Sequence, residues 1–260
     1  MAIETFKRYE NKYRVDQRTW EMLQSQLLDR MEPDAYNQNG RTYSISNLYY
    51  DTPDSHLIRT SLQKPVYKEK LRLRAYGVPD LDEKVYLEIK KKFQGIVNKR
   101  RSALILRDAY DFVASGQLPA ERPYQNRQVL REITYLLQQN ELRPSLYLAY
   151  DRLAFFDREN RDLRISYDTN IRSRRTELRL ESGDQGELLL PRSQGLIEIK
   201  VAGNMPYWLA HLLSEHQIRP TSFSKYGTEY SKQLSLAIPR SVAAYPARQP
   251  HSAGIYQLGT

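Results

Sequence analysis

The sequence predicts an α+β fold in which about eight strands, with helices inserted between them, form a barrel around a lining of cations. Three observations lead there. Read at the two-residue period of a strand, Tyr67-Lys-Glu-Lys-Leu-Arg-Leu-Arg-Ala-Tyr76 puts Lys68, Lys70, Arg72 and Arg74 on one face and Leu71, Leu73 and Ala75 on the other. Same-face neighbours lie about 6.5 Å apart, so the column repels itself unless something anionic and extended runs along it. Val85 to Phe93 repeats the design, with Tyr86, Glu88 and Lys90 opposite Val85, Leu87 and Ile89. After a turn at Gln94-Gly95, Val97, Lys99 and Arg101 share a face of the returning strand. Finally, the polar strand faces concentrate Arg and Lys with single Glu residues, where a solvated face mixes Ser, Thr, Glu and Lys. The outside of a sandwich would accommodate any one of these strands, whereas a closed barrel with a cationic lumen explains the pattern they share.

In chain order, Phe6 to Val15 reads as a strand carrying Arg8, Glu10, Lys12 and Arg14 on one face. Asp16 caps a helix from Gln17 to about Met31, whose Trp20, Leu23, Leu27 and Leu28 recur at helical spacing. Pro33, Asn37, Asn39 and Gly40 make a loop, and Tyr43 to Asp51 is a strand stopped by Thr52-Pro53. A short helix runs from Asp54 or Ser55 to about Leu62. Past the hairpin, Arg107 to Ser115 and Asn126 to Asn140 read as helices, the second with a buried stripe of Val129, Ile133, Leu136 and Leu137. Leu146 to Phe156 returns to strand, pairing with Asp162 to Asp168 and setting Arg164, Ser166 and Asp168 together. Arg172 to Leu180 is a further basic run. Leu196 to Val201 alternates, a helix follows from Pro206 to about His216, and Ser222-Phe-Ser-Lys-Tyr-Gly227 precedes a last helix. Residues 1–238 are expected to form one domain and 239–260 a mobile tail.

The 260 residues suffice for a substantial core, and 40 Lys and Arg against 31 Asp and Glu give a net charge of +9. That excess points to a polyanionic partner without choosing among nucleic acid, nucleotide, polyphosphate and an acidic membrane. The absence of Cys excludes thiol chemistry, thiolate metal sites and disulfides. Charge at the N-terminus replaces the apolar stretch of a signal peptide, and no apolar run approaches a membrane span, so a cytoplasmic chain is expected.

Familiar catalytic signatures are missing: there is no Gly-rich phosphate loop and no Gly-x-Ser-x-Gly elbow. The four histidines, His56, His211, His216 and His251, lack metal-pair spacing. What remains is a set of cations with scattered carboxylates. Glu10 and Glu198, each two residues before a lysine, suit a hard divalent cation with the lysine on phosphate oxygens, although either glutamate alone is more often an ion-pair partner.

Eight segments then carry a resemblance: Arg8-Tyr-Glu-Asn-Lys-Tyr13, Asn47-Leu-Tyr-Tyr-Asp51, Leu71-Arg-Leu-Arg-Ala-Tyr-Gly77, Leu87-Glu-Ile-Lys90, Tyr150-Asp-Arg152, Leu163-Arg-Ile-Ser166, Ile197-Glu-Ile-Lys200 and Ser222-Phe-Ser-Lys-Tyr226. In this order, from about Phe6 to Lys232, the chain resembles the catalytic domain of the vacuolar transporter chaperone (VTC) family of polyphosphate polymerases, CYTH-like members of the triphosphate tunnel metalloenzymes. The resemblance implies an eight-stranded antiparallel tunnel that binds the triphosphate of ATP and moves its γ-phosphoryl group onto a growing polyphosphate. Carried across, Lys12, Arg72, Arg74, Lys90, Lys99, Arg152, Arg164, Lys200 and Lys225 match the tunnel cations. Tyr150 and Ser224 match neutral phosphate contacts, and with Glu10 and Glu88 complete the expected substrate-binding set. Glu198 matches the metal-binding glutamate, implying Mn²⁺ or Mg²⁺ as cofactor. The consecutive Lys99, Arg100 and Arg101 leave open which of them faces inward. The implied partners are ATP and polyphosphate, with room for a membrane-protein partner at the inner face of a membrane and no nucleic acid expected.

Two positions depart from the family pattern. Arg8 stands where hydrolytic and cyclase relatives carry the first glutamate of Glu-x-Glu-x-Lys, and Ser222 stands where eukaryotic polymerases tend to carry lysine. Hydrolysis must orient a water molecule, usually by a carboxylate or second metal, so Arg8 tilts the reading toward transfer. A triphosphate hydrolase on the same fold and a non-catalytic polyphosphate- or RNA-binding module are the alternatives. Against RNA, the 20 tyrosines are dispersed and no RNP-type aromatic motif is present.

Overall fold

The computed structural model describes residues 9–94 and 96–237; Arg8, Gly95 of the expected turn and the expected tail 239–260 lie outside them. The chain runs β1 (Tyr9–Asp16), α1 (Gln17–Leu27), β2 (Met31–Pro33), a 3-10 helix (Ala35–Gly40), β3 (Tyr43–Asp51) and α2 (His56–Leu62). It continues through β4 (Tyr67–Tyr76), β5 (Lys84–Phe93), β6 (Ile96–Ile105), α3 (Leu106–Ser115), α4 (Arg127–Gln139) and β7 (Arg143–Asp157). It ends with β8 (Arg164–Arg174), β9 (Glu187–Leu188), β10 (Gln194–Val201), α5 (Tyr207–Glu215) and α6 (Lys225–Ala237).

Local chemistry sets the helix ends. Asp16 caps α1 by accepting from the Thr19 backbone N–H at 2.7 Å. The expected continuation of α1 to Met31 does not form. Strand β7 extends past the start of β3 and leaves backbone groups unpaired on that edge, and Met31–Pro33 pairs with Phe155–Asp157 instead. At α2 the N-cap residue Ser55 is left-handed, with φ 60°, and its side chain makes no capping bond. Fully buried Asp51, at the end of β3, takes over and accepts from the N–H groups of Leu57 at 2.8 Å and Ile58 at 3.0 Å. The Tyr226 hydroxyl donates to the same carboxylate at 2.9 Å, tying α6 to β3 and α2. The expected strand Asp162–Asp168 runs on to Arg174, taking in the start of the basic run.

All strand pairings are antiparallel, in the order β1-β10-β8-β7-β3-β4-β5-β6, with short β2 on β7 and β9 on β8. Among the described residues no ladder joins β6 back to β1. The sheet nevertheless curls on itself: Lys90 on β5 lies in the field of Glu10 and Lys12 on β1 and Lys200 on β10, at the far end of the strand order. Two apolar cores cover the outer face, one placing α3 and α4 over β4, β5 and β6, the other placing α1 and α5 over β1, β10 and β8. A third core fills part of the inside, where Tyr226 and Tyr230 of α6 and Ile58 of α2 pack on Ile45, Tyr49, Leu148 and Leu196. The lumen is therefore cationic along part of its length only.

Candidate active site

Strand alternation aims the expected residues into the lumen, where they collect around three carboxylates. Glu88 on β5, 1 % exposed, receives Arg72 Nε at 2.8 Å and Nη2 at 2.7 Å, with Lys99 Nζ at 3.0 Å and Arg74 Nη1 at 3.9 Å. Burial alone would raise its pKa, but Arg72, Arg74 and Lys99 outweigh it and hold the carboxyl well below the usual range. Arg74 also donates to Asn47 Oδ1 at 2.9 Å and the Tyr150 hydroxyl at 3.2 Å, and Arg72 to the Tyr49 hydroxyl at 2.9 Å. Lys99 thus faces inward, whereas Arg100 points to the outer face and pairs with Glu132 of α4 at 3.0 Å. Arg101 faces inward again, its guanidinium 4.6 Å from the Tyr86 ring centre.

Across the lumen Glu198 on β10 is ringed by Lys225 at 2.9 Å, Lys200 at 3.0 Å, Arg152 at 3.4 Å and Lys12 at 3.7 Å. Its burial is overcome by these charges, led by Lys225, and it stays ionised. Beside it Asp168, fully buried on β8, holds Arg152 through two bonds of 2.6 and 2.8 Å and Lys225 at 2.6 Å. The same burial that opposes its charge is outweighed by Arg152 and Lys225, which lower its pKa. Glu10 pairs with Lys12 at 3.3 Å; burial opposes its ionisation, Lys200 favours it, Glu198 works against it, and the balance lowers its pKa.

Not every expected residue joins these clusters. Arg164 neighbours Lys200 in the ladder but pairs with Asp34 at 3.1 Å and lies over the Phe156 ring, off the central group. The Ser224 hydroxyl accepts from the Gly227 N–H at 3.2 Å at the start of α6, which makes it a helix cap in this state. Lys12 donates to the Phe223 carbonyl at 3.1 Å, anchoring the segment before α6 to β1. Lys90 keeps exposed surface yet is crowded by the wall; loss of hydration, with Arg72, Lys12 and Lys200 nearby, lowers its pKa despite Glu10. It stands directly opposite Lys70 on β4 and Lys99 on β6. Among the described residues neither Lys70 nor Lys90 has a carboxylate at ion-pair distance. Removal from water pushes Lys70 and Lys99 down to about 8.

Asp168, Asn47 and Tyr49 are site residues that the sequence reading left out. The period-two set Arg164, Ser166 and Asp168 already placed Asp168 on the lumen face. The sequence pattern points to a bound polyanion as counter-charge, with Glu10 and Glu198 each also able to serve as an ion-pair partner. Part of that counter-charge is internal, since Glu88, Asp168 and Glu198 neutralise several cations, and the excess is concentrated at Lys70 and Lys90.

A curled antiparallel sheet enclosing an excess of lysine and arginine defines the triphosphate tunnel fold. The chain belongs to the VTC domain family, whose model matches residues 7–233. Its fold is also that of a proposed adenylate cyclase from Bacillus halodurans, 16% identical over 85% of this chain and 96% of the other, with a TM-score of 0.52. A proposed adenylyl cyclase from Hippeastrum, reported with a dominant triphosphatase activity, is 18% identical over 86% of this chain and 95% of its own, with a TM-score of 0.48. No significant match is found among curated proteins. No helix among the described residues is long and apolar enough to cross a membrane.

Proposed function

We propose that the chain is a polyphosphate polymerase, moving the γ-phosphoryl group of ATP onto the end of an inorganic polyphosphate inside the tunnel. The observation that carries this reading is the row of Lys70 and Lys90, cations with no carboxylate at ion-pair distance among the described residues, beside Arg72, Arg74 and Lys99. Facing lysines in adjacent strands repel each other, and an extended anion lying between them relieves that cost. Family membership supports the substrate class.

The donor's phosphates lie on Arg72, Arg74, Lys90 and Lys99, and the acceptor's terminal phosphate lies toward Lys12, Lys200, Arg152 and Lys225. An acceptor oxygen forms a bond to the γ-phosphorus as the bond to the β–γ bridging oxygen breaks, and ADP leaves. The acceptor is already largely ionised near neutral pH, so no general base is required. Catalysis then rests on positioning and charge neutralisation. Glu88 and Asp168 orient the arginines, Tyr150 contributes its hydroxyl, and Arg164 extends the charge toward one mouth.

Among the described residues no group of three or more acidic or histidine side chains could cage a metal. The donor set fits an ion shared with substrate. Glu10 and Glu198 sit diagonally across the β1–β10 pair, and the buried Ser166 hydroxyl, opposite Glu198 in the β10–β8 ladder, has no partner. Mg²⁺-type ions bind through one or two carboxylates plus phosphate oxygens, and Mn²⁺ shares that preference for oxygen ligands. When bound, such an ion would neutralise developing charge on the phosphates.

Incubation with ATP and Mn²⁺ followed by gel separation is expected to show a ladder of polyphosphate. Release of orthophosphate without chain growth would replace this reading with a hydrolase on the same fold. A cytoplasmic location, with product handed to a membrane-bound partner, belongs to the same proposal.

A further inference from the structure

At the end of β3 away from Tyr49, the lumen opens through tyrosines. Tyr43, first in β3, Tyr76, last in β4, and Tyr86 of β5 are joined by Tyr36 from the 3-10 helix. Ring centres lie 5.8 Å apart for Tyr36 and Tyr43, and 6.1 Å for Tyr43 and Tyr76. Tyr36 and Tyr76 lie 6.0 Å apart and within 8° of parallel, and Tyr86 meets Tyr76 edge-on. The outer rings are not hidden: Tyr36 is 71% exposed and Tyr76 47%.

Nor is Tyr36 on a loose segment. Its neighbour Asn37, 1% exposed, donates to the carbonyls of Arg41 at 3.0 Å and Arg152 at 2.9 Å and accepts from the Ala154 N–H at 2.8 Å. The backbone is pinned to β7 while the ring is turned to water. Mutual packing explains Tyr43, but it does not explain holding Tyr36 and Tyr76 exposed.

Aromatic faces carry negative charge density and offer a phosphate chain nothing. They suit a flat heterocycle attached to one. Tyr76 stands two strand steps beyond Arg72, about 13 Å along β4, with Arg74 between them. We propose that this tyrosine collar stacks the base of the nucleoside triphosphate whose phosphates lie on Arg72 and Arg74. The mouth thereby distinguishes a nucleotide from an inorganic chain of phosphates. The inference rests on reading the lumen as a triphosphate site.

Calorimetric titration of the wild type and of Tyr36→Ala, Tyr76→Ala and Tyr76→Phe with ATP and with inorganic tripolyphosphate tests it. Loss of a stacking ring weakens base binding by roughly tenfold. The alanine variants are therefore expected to lose ATP affinity by about that factor while holding tripolyphosphate within about twofold, and Tyr76→Phe is expected to match the wild type for both. Equal weakening of both ligands, or an unchanged ATP affinity beside normal tripolyphosphate binding, overturns the collar alone. A wild type that binds neither ligand overturns the lumen reading and the collar with it.

Discussion

Replacing Asp168 with Asn tests the internal wiring of the tunnel more directly than removing a cation. Asp168 is fully buried, and its oxygens accept from Arg152 at 2.6 and 2.8 Å and from Lys225 at 2.6 Å. The amide keeps the shape but removes the charge, leaving two buried cations to share Glu198. Breaking a buried ion pair by removing one partner costs about 3–5 kcal/mol. For a chain of this size each kcal/mol lowers Tm by roughly 2–4 °C, so the melting point is expected to fall by about 6–20 °C. Asp82→Asn is the control, because the Asp82–Arg107 pair is solvent-exposed and its loss should hardly move the transition. The pH dependence has a definite sign. Arg152 and Lys225, overriding burial, hold the Asp168 pKa low, so its contribution is complete above the ordinary aspartate range and is lost as pH falls through the lowered value. The melting curves of wild type and variant should converge in acid. A shift at neutral pH no larger than the control's would refute the assignment of Asp168 as the anchor of these cations.

Arg72→Ala with Arg74→Ala should weaken tripolyphosphate binding by at least tenfold in calorimetry, and wild-type affinity would remove both from the site; because buried Glu88 then keeps only Lys99 as a partner, a lowered Tm is expected as well. Glu198→Gln should abolish metal-dependent turnover, and full activity would exclude it as a metal ligand; since Glu198 also balances four cations, a lowered Tm is expected as well. Burial lowers Lys70 and Lys99 to about 8, so tripolyphosphate affinity is expected to fall as pH rises from 7 to 9, by roughly tenfold to a hundredfold if both charges are needed. A flat profile would show that neither lysine meets the phosphates.

The two-residue alternation of β4, β5 and β10 made the lumen legible, because one face is aliphatic and the other charged: Leu71 and Leu73 against Arg72 and Arg74, Ile197 and Ile199 against Glu198 and Lys200. Such a pattern says which side chains share a face. It does not say which of them touch across the barrel. That Glu88 meets Lys99 and that Glu198 meets Lys225 depends on register and on the docking of α6, which local pattern does not encode. Met31 was misread for a related reason. Its apolar side chain fits a helical stripe, but an unpaired edge of β7 claims its backbone. Asn37 reads in sequence only as a loop residue and Asn47 only as part of a family segment, because a single buried amide has no periodicity; its importance lies in the backbone and guanidinium groups it satisfies.

The order of the strands makes the ring a clasp rather than a pipe. With β1 and β6 at its two tips, no backbone ladder closes the bore there among the described residues. Spreading the tips breaks none of the ladders that hold the wall, and Glu10 and Lys90, in each other's field across the gap, both belong to the candidate site. On the proposed function, the fit around a chain of phosphates would be set by the same groups that grip it, with no strand ladder standing across that gap among the described residues.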